Sequence, residues 1–272
     1  MLTFPNAKIN IGLFITAKRK DGYHDLETIF YPVPVKDALE IVDNPLASTS
    51  IHLSGLPVAG DQQNNLVCKA YTLLQRDFPQ RVGPLSIHLH KVIPMGAGLG
   101  GGSADGAFML KMLNDHFQLG MDLNQLEQYA LELGSDCPFF IRNKAAFASG
   151  RGEQLEETAL DLSDYSIQLI YPDIHISTAL AFSGITPAPA PYSLRDISSL
   201  PLDKWKDHII NDFEASLFPG YRVLQNLKEQ LYRGGGLYAS LSGTGSTVYG
   251  IFKKGEQAEI NSETAFKQHY IL

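Results

Sequence analysis

The stretch "PMGAGLGGGSADGA", Pro94 to Ala107, decides how this chain is read. Five glycines fall within seven residues: Gly96, Gly98, Gly100, Gly101 and Gly102. Each costs backbone entropy on folding and buries no side chain. A tight turn uses one or two glycines, so a run of five means that something approaches the main chain here, or that the chain turns where no Cβ is tolerated. Upstream, "LSIHLHKVI" alternates as a strand; downstream, "SADGAFMLKMLNDHF" has helical spacing, with Ser103 and Asp105 suited to its first turn. Consecutive backbone N–H groups at the start of a helix form a seat for phosphate oxygens.

Two kinds of nucleotide loop compete with a plain turn. Gly96, Gly98 and Gly101 satisfy G-x-G-x-x-G between a strand and a helix, the dinucleotide fingerprint of an NAD-dependent oxidoreductase. Against it, the strand before the loop carries Ser86, His88 and His90 at alternate positions, where a central parallel strand is almost continuously apolar. Nor does a strand ending in an acidic residue follow about 20 residues on; "LNDHFQLGMDLNQ" there runs from helix to helix. A Walker loop is excluded, because Gly-Lys-Ser/Thr occurs nowhere. The surviving reading is a nucleoside triphosphate loop of another kind.

Outward from the loop, "AKINIGLFIT" predicts a half-buried strand, with Ile9, Ile11, Leu13 and Ile15 on one face and Lys8, Asn10 and Gly12 on the other. "KRKDGYHD" turns at Asp21-Gly22 into a returning strand, "LETIFYPV". "NNLVCKAYTLLQRDF" predicts a helix capped by Asn64 or Asn65, and "DLNQLEQYALELG" another closed by Gly134. Beyond a polar stretch, Glu156 to Asp164, come a strand "YSIQLIYP", a Pro-rich surface connection and helices through "DKWKDHIINDFEASLF" and "YRVLQNLKEQLY". A strand–turn–strand, "LYASLSGTGSTVYGIFKK", follows, and then a last helix. The polar stretch suggests two domains, residues 1–157 and 158–272.

Bulk properties fit a soluble cytoplasmic protein of 272 residues, 44% hydrophobic and 19% charged. A net charge of −7 argues against nucleic acid as a partner, and no apolar run approaches the ~20 residues of a membrane span. Two cysteines, Cys68 and Cys137, suggest a reducing compartment. The histidines show no metal-ligand spacing: His88 and His90 share a strand face without acids or cysteines beside them.

Three segments in order, "PNAKINIGLFITAKRKDGYHDLETIF", the glycine loop and "SLSGTGSTVYGIF", resemble the motifs of the GHMP kinases, whose phosphate loop reads P-x-x-x-G-L-G-S-S-A. Ala-Lys-Ile-Asn, Asp-Gly-Tyr-His, "LGSDCPFFI", "GRGEQL" and "NDFE" narrow the resemblance to the branch serving the non-mevalonate route to isoprenoids (terpenoids), so that it spans nearly the whole chain. It implies an α+β, two-domain fold: an N-terminal β-rich α/β domain and a ferredoxin-like C-terminal domain. It implies a kinase using ATP and Mg²⁺ on a cytidine diphosphate-linked methylerythritol, with Lys8 and Asp136 catalytic. Pro94, Met95, Gly96, Ala97, Gly98, Leu99, Gly100, Gly101, Gly102, Ser103 and Ala104 would surround the phosphates, with Asn65 near the adenine. Asn10, Tyr23, His24, Thr178 and Phe182 would bind the acceptor, Tyr23 and Phe182 flanking the cytosine and His24 hydrogen-bonding it. A GHMP kinase for homoserine or mevalonate is the alternative within the family. Gly101 and Gly102 stand where other members often carry serine implicated in Mg²⁺ binding, so the metal ligands stay unassigned.

Overall fold

The computed structural model describes residues 1–45, 48–58, 60–262 and 266–272. Its strands are β1 (Leu2–Thr3), β2 (Asn6–Lys18), β3 (His24–Lys36), β4 (Ala38–Asp43), β5 (Ser50–Gly55), β6 (Leu85–Lys91), β7 (Ala146–Ser149), β8 (Gln154–Glu157), β9 (Tyr165–Tyr171), β10 (Tyr238–Leu241), β11 (Val248–Lys253) and β12 (Phe266–Ile271). Its α-helices are α1 (Leu66–Asp77), α2 (Gly101–His116), α3 (Leu123–Leu133), α4 (Cys137–Arg142), α5 (Thr178–Ser183), α6 (Trp205–His208), α7 (Asp212–Leu217) and α8 (Arg222–Arg233). They form two compact units: Met1–Ala7, Val35–Met95 and Gly100–Lys144 make one, and Lys8–Pro34, Gly96–Leu99 and Ala145–Leu272 the other. The chain therefore alternates between units, where the sequence suggested a single cut after residue 157.

In the first unit a four-stranded sheet has the order β1-β4-β6-β5. β4 and β6 are antiparallel, whereas β5 and β6 are parallel and need a crossover, which α1 supplies. Period-two alternation puts Leu39 and Ile41 opposite Leu89 and Ile87 on the inner face and leaves His88 and His90 exposed on the other. Lys91 falls in the inward phase with Leu85, Ile87 and Leu89, and it is buried. Against α2 pack α1, α3 and α4. The Asn65 side chain caps α1 through the Val67 N–H, and α3 opens on a capping box of Asp122 and Gln125.

The second unit holds two sheets, β2-β3-β7-β8 and β10-β11-β9-β12. β2 is not half-buried: from Asn6 to Ile15 every residue is buried, on both faces. α8 turns Leu224, Leu227 and Leu231 inward at helical spacing, into a core with Leu13, Ile15, Ile170, Phe213 and Leu241. At α7, Glu214 accepts from the Leu241 N–H and the Ser240 hydroxyl and pairs with Lys228, joining three elements through one carboxylate. The expected last helix is a strand: β12 pairs antiparallel with β9, Phe266 opposite Tyr171 through Ile271 opposite Ser166. Residues 263–265, within that expected helix, lie outside the described residues. Among the described residues no helix is long and apolar enough to cross a membrane.

Candidate active site

The glycine loop has the geometry its composition suggests. Gly96, Gly98 and Gly100 have φ of +66°, +78° and +70°. At Gly98 a second constraint applies, because a Cβ there would run into the carbonyl oxygen of Ser242. Ser242 Oγ donates to the Gly98 carbonyl at 2.8 Å, and the Thr247 N–H to that of Ala97 at 3.1 Å. The C-terminal "SGTGS" turn is thus what the middle of the loop rests on. Gly100 is the N-cap of α2 and offers no side-chain cap, so the helix's leading N–H groups are left to another acceptor. A Cβ at Gly102 would meet nothing within 4 Å. Packing does not demand glycine there, and the open space adjoins the N-terminus of a 16-residue helix, the end that favours an anion. Ser103 follows in the first turn, Ala104 is fully buried, and Met95 is 40% exposed just ahead of the loop. Pro94 is buried.

Lys8 is only 4% exposed. Its Nζ donates to Asn10 Oδ1 at 2.5 Å and lies 4.8 Å from the Phe30 ring centre, while its N–H donates to the Leu99 carbonyl at 2.9 Å. Asn10 in turn donates through Nδ2 to Thr28 Oγ1, and its carbonyl accepts from the Tyr249 hydroxyl at 2.7 Å. With both its amide and its carbonyl engaged, Asn10 presents Oδ1 to the ammonium in one fixed orientation.

In the first unit, Asp136 is the N-cap residue of α4, yet its side chain makes no capping hydrogen bond. Its backbone is helical, so the carboxylate is not spent on that helix end. Burial pushes the neighbouring Cys137 thiol up to about 12, with Asp136 adding to the rise and a hydrogen bond involving Ser103 opposing it. Burial, more than the adjacent carboxylate, keeps this thiol protonated.

The residues expected to bind the acceptor are partly brought together. His24 and Phe182 are stacked, with ring centres 4.9 Å apart, and Phe182 meets Phe213 edge-on at 4.9 Å. Tyr23 is 58% exposed, and the Arg151 guanidinium lies 5.1 Å from its ring centre. Thr178 opens α5 on the surface, after the Ser177 cap. In the sequence Arg151 stands out only within "GRGEQL"; its place over Tyr23 needs the third dimension.

Asp105 corrects a second expectation. It does not serve the first turn of α2 but is buried beside Lys91 and Asp37, with Lys91 Nζ on Asp105 Oδ2 at 2.6 Å and on Asp37 Oδ2. Burial raises Asp105 to about 7, against the lowering effect of Lys91. The signal that finds this trio is a lysine in the apolar phase of β6. On the sheet's exposed face the His52 and His88 rings stack at 4.8 Å, and no group of three His, Cys, Asp or Glu among the described residues could hold a metal. A cavity of about 810 Å³ lies against α1, between Ile51, Thr72, Arg76, Ile87 and Leu133, and no residue expected at the site lines it.

Comparison with known proteins places the chain in a family. The GHMP kinases N terminal domain matches residues 65–144, and the GHMP kinases C terminal domain residues 203–268. The mevalonate kinase of Methanococcus jannaschii, at 12% identity and a TM-score of 0.67 over 94% of this chain and 92% of that one, shares the fold. The fold class is that of a GHMP kinase, α+β in two parts. A crystal structure of 4-(cytidine 5'-diphospho)-2C-methyl-D-erythritol kinase superposes with a TM-score of 0.75 at 29% identity, over 92% of this chain and 90% of that one. The 4-diphosphocytidyl-2-C-methyl-D-erythritol kinase of Bacteroides thetaiotaomicron is 52% identical over 255 residues, covering 93% of this chain and 92% of its own. That of Bacteroides fragilis is 49% identical over 98% and 97%. The chain belongs to the family of 4-diphosphocytidyl-2-C-methyl-D-erythritol kinases, and with it to the ATP-dependent phosphotransferases.

Proposed function

We propose that the protein transfers the γ-phosphoryl group of ATP to the 2-hydroxyl of 4-diphosphocytidyl-2-C-methyl-D-erythritol. The observation that carries this reading is Lys8, an ammonium kept in the interior on the Asn10 carboxamide. A buried cation is costly to maintain and worth most where negative charge develops away from water. Phosphoryl transfer is such a case, since the work of the site is positioning and charge stabilisation. Asp136, uncommitted to capping, orients the acceptor hydroxyl and takes its proton as the oxygen attacks phosphorus. Lys8 stabilises the charge gathered on the transferring group. The residues from Pro94 to Ala104 surround the phosphates, with the open side of Gly102 and the leading N–H groups of α2 as their seat. Bound with the nucleotide, Mg²⁺ would supply neutralisation of part of the phosphate charge. Aromatic faces of Tyr23 and Phe182 supply stacking for a pyrimidine and the His24 ring a hydrogen bond to it, with Asn10 and Thr178 as polar contacts to the acceptor and Asn65 bordering the adenine.

ADP release with ATP and Mg²⁺ tests the reading, using the cytidylated alcohol beside mevalonate, homoserine and uncytidylated methylerythritol phosphate. Turnover confined to the cytidylated alcohol is expected. Turnover with another alcohol would keep the kinase and overturn the roles of Tyr23, His24 and Phe182.

A further inference from the structure

The seven residues from Pro94 to Gly100 hang from two ends, and one buried ammonium touches what holds both. At the leading end, Asp37 Oδ1 accepts the N–H groups of Val92 at 2.5 Å and Ile93 at 2.9 Å, the last two residues before Pro94. Its other oxygen takes Lys91 Nζ. At the trailing end, Asp105 sits one turn into α2 and takes the same Nζ at 2.6 Å. Gly101 lets that turn close in: a Cβ there would lie 2.8 Å from the Ile93 side chain and 3.4 Å from Lys91 Nζ. Lys91 is 1% exposed, Asp37 1% and Asp105 2%, so the trio is sealed from water. Asp105 Oδ1 is buried without a hydrogen-bond partner, and the groups that act on its carboxyl are Lys91 and Asp37. Two buried carboxylates on one ammonium do not form the arrangement that stability alone favours, since a well-packed apolar group would serve as well. What the trio adds is a fixed separation between the two ends of the loop.

We propose that Lys91 is a positioning residue for the triphosphate, stapling the leading and trailing ends of the glycine loop through Asp37 and Asp105. The inference rests on the reading that this loop seats the phosphates of ATP. A staple of this kind acts on one substrate: loosening it displaces N–H groups aimed at phosphate and leaves the acceptor alcohol's contacts alone.

Asp105→Asn removes the charge at the trailing end and keeps the shape. Lys91→Met with Asp105→Leu removes one charge of each sign and leaves Asp37 on its two N–H groups. Steady-state kinetics of both, with each substrate varied, are compared with melting temperatures. The KM for ATP should rise roughly five- to tenfold, as expected when a charge-assisted bond is weakened. The KM for the alcohol should stay within about twofold, with no matching fall in melting temperature. An unchanged KM for ATP in both variants overturns the proposal. So does a parallel change in both KM values and kcat that follows a drop in melting temperature, or failure of the double variant to fold; each would make the trio purely structural. Gly102→Leu separates the two layers of the argument. If it raises the KM for ATP while Asp105→Asn does not, the loop holds phosphate and the staple is wrong; if it leaves that KM unchanged, the loop reading itself fails.

Discussion

Asp136→Asn retains the size of the side chain and loses its basicity. It should lower kcat by roughly 10²- to 10⁴-fold with the ATP affinity measured by thermal shift preserved, because proton transfer at a positioned group contributes about that much. Asp105 carries a pH signature of its own. The charged groups that act on it are Lys91 at the end of β6 and Asp37 between β3 and β4. Its value, raised to about 7 from 3.8, means that the folded chain binds more protons than the unfolded one between those pH values. Stability from this group is therefore lost as pH rises from about 4 to about 7 and is level above that. The melting temperature of Asp105→Asn should gain on the parent's across that window, and equal slopes would show that Asp105 ionises normally. Cys137, fully buried with its thiol pushed up to about 12, should resist iodoacetamide until the protein unfolds. Lys8 was legible at this scale only through its motif, since a lysine on the polar phase of a strand otherwise reads as a surface residue. Lys91 is legible without any motif, as a lysine in the apolar phase of its strand.

At the level of elements, the loop and its helix can be tested by the carbonyl that crowds Gly98. Gly98→Ala combines a left-handed backbone, costing about 1–2 kcal/mol for a residue with a Cβ, with displacement of Ser242. Thermal denaturation should show a fall of at least that size, and the KM for ATP should rise with it. By contrast Gly102→Ala, in a helical turn with empty space beside it, should leave the melting temperature unchanged or higher. Leu227→Ala on the inner face of α8 should cost about 2–5 kcal/mol by urea denaturation, as a fully buried leucine removed from a closed core. Long periodic elements such as α1, α3 and α8 could be read from spacing and caps. α4 could not: with six residues after "GSD", its periodicity is too short to register. The C-terminal segment failed for another reason. "NSETAFKQHYIL" contains residues that tolerate a helix, and pairing with β9, a long-range contact, overrides that local preference.

For the molecule as a whole, the two family matches at residues 65–144 and 203–268 lie either side of the polar stretch, and invite cutting the chain there. A fragment of residues 158–272 would lack Leu13 and Ile15, which belong to the core around α8. It would also lack β2 and β3, whose residues from Lys8 to Pro34 belong to the second unit. The fragment should therefore give no cooperative melt by circular dichroism. Trp205 is 1% exposed in the full chain, with its indole N–H on the Leu200 carbonyl at 3.0 Å, and should emit in the fragment as in water. A sharp melt with blue-shifted emission would show that the C-terminal half is self-sufficient. The existence of two units was legible in the sequence; their alternation along the chain was not, because local pattern does not reveal which distant segments pair.

That alternation also fixes a timetable. The chain passes from one unit to the other after residues 7, 34, 95, 99 and 144. On the ribosome, β2 and β3 emerge early, but β7 and β8 of their sheet, and all of the β10-β11-β9-β12 sheet, leave the tunnel only after residue 145. From the end of β3 until β7 is made, the nascent chain therefore carries a two-stranded hairpin rich in isoleucine, leucine and phenylalanine with no core to receive it. During that interval the first unit can close behind it, while the hairpin is the segment a nascent-chain chaperone would be expected to shelter.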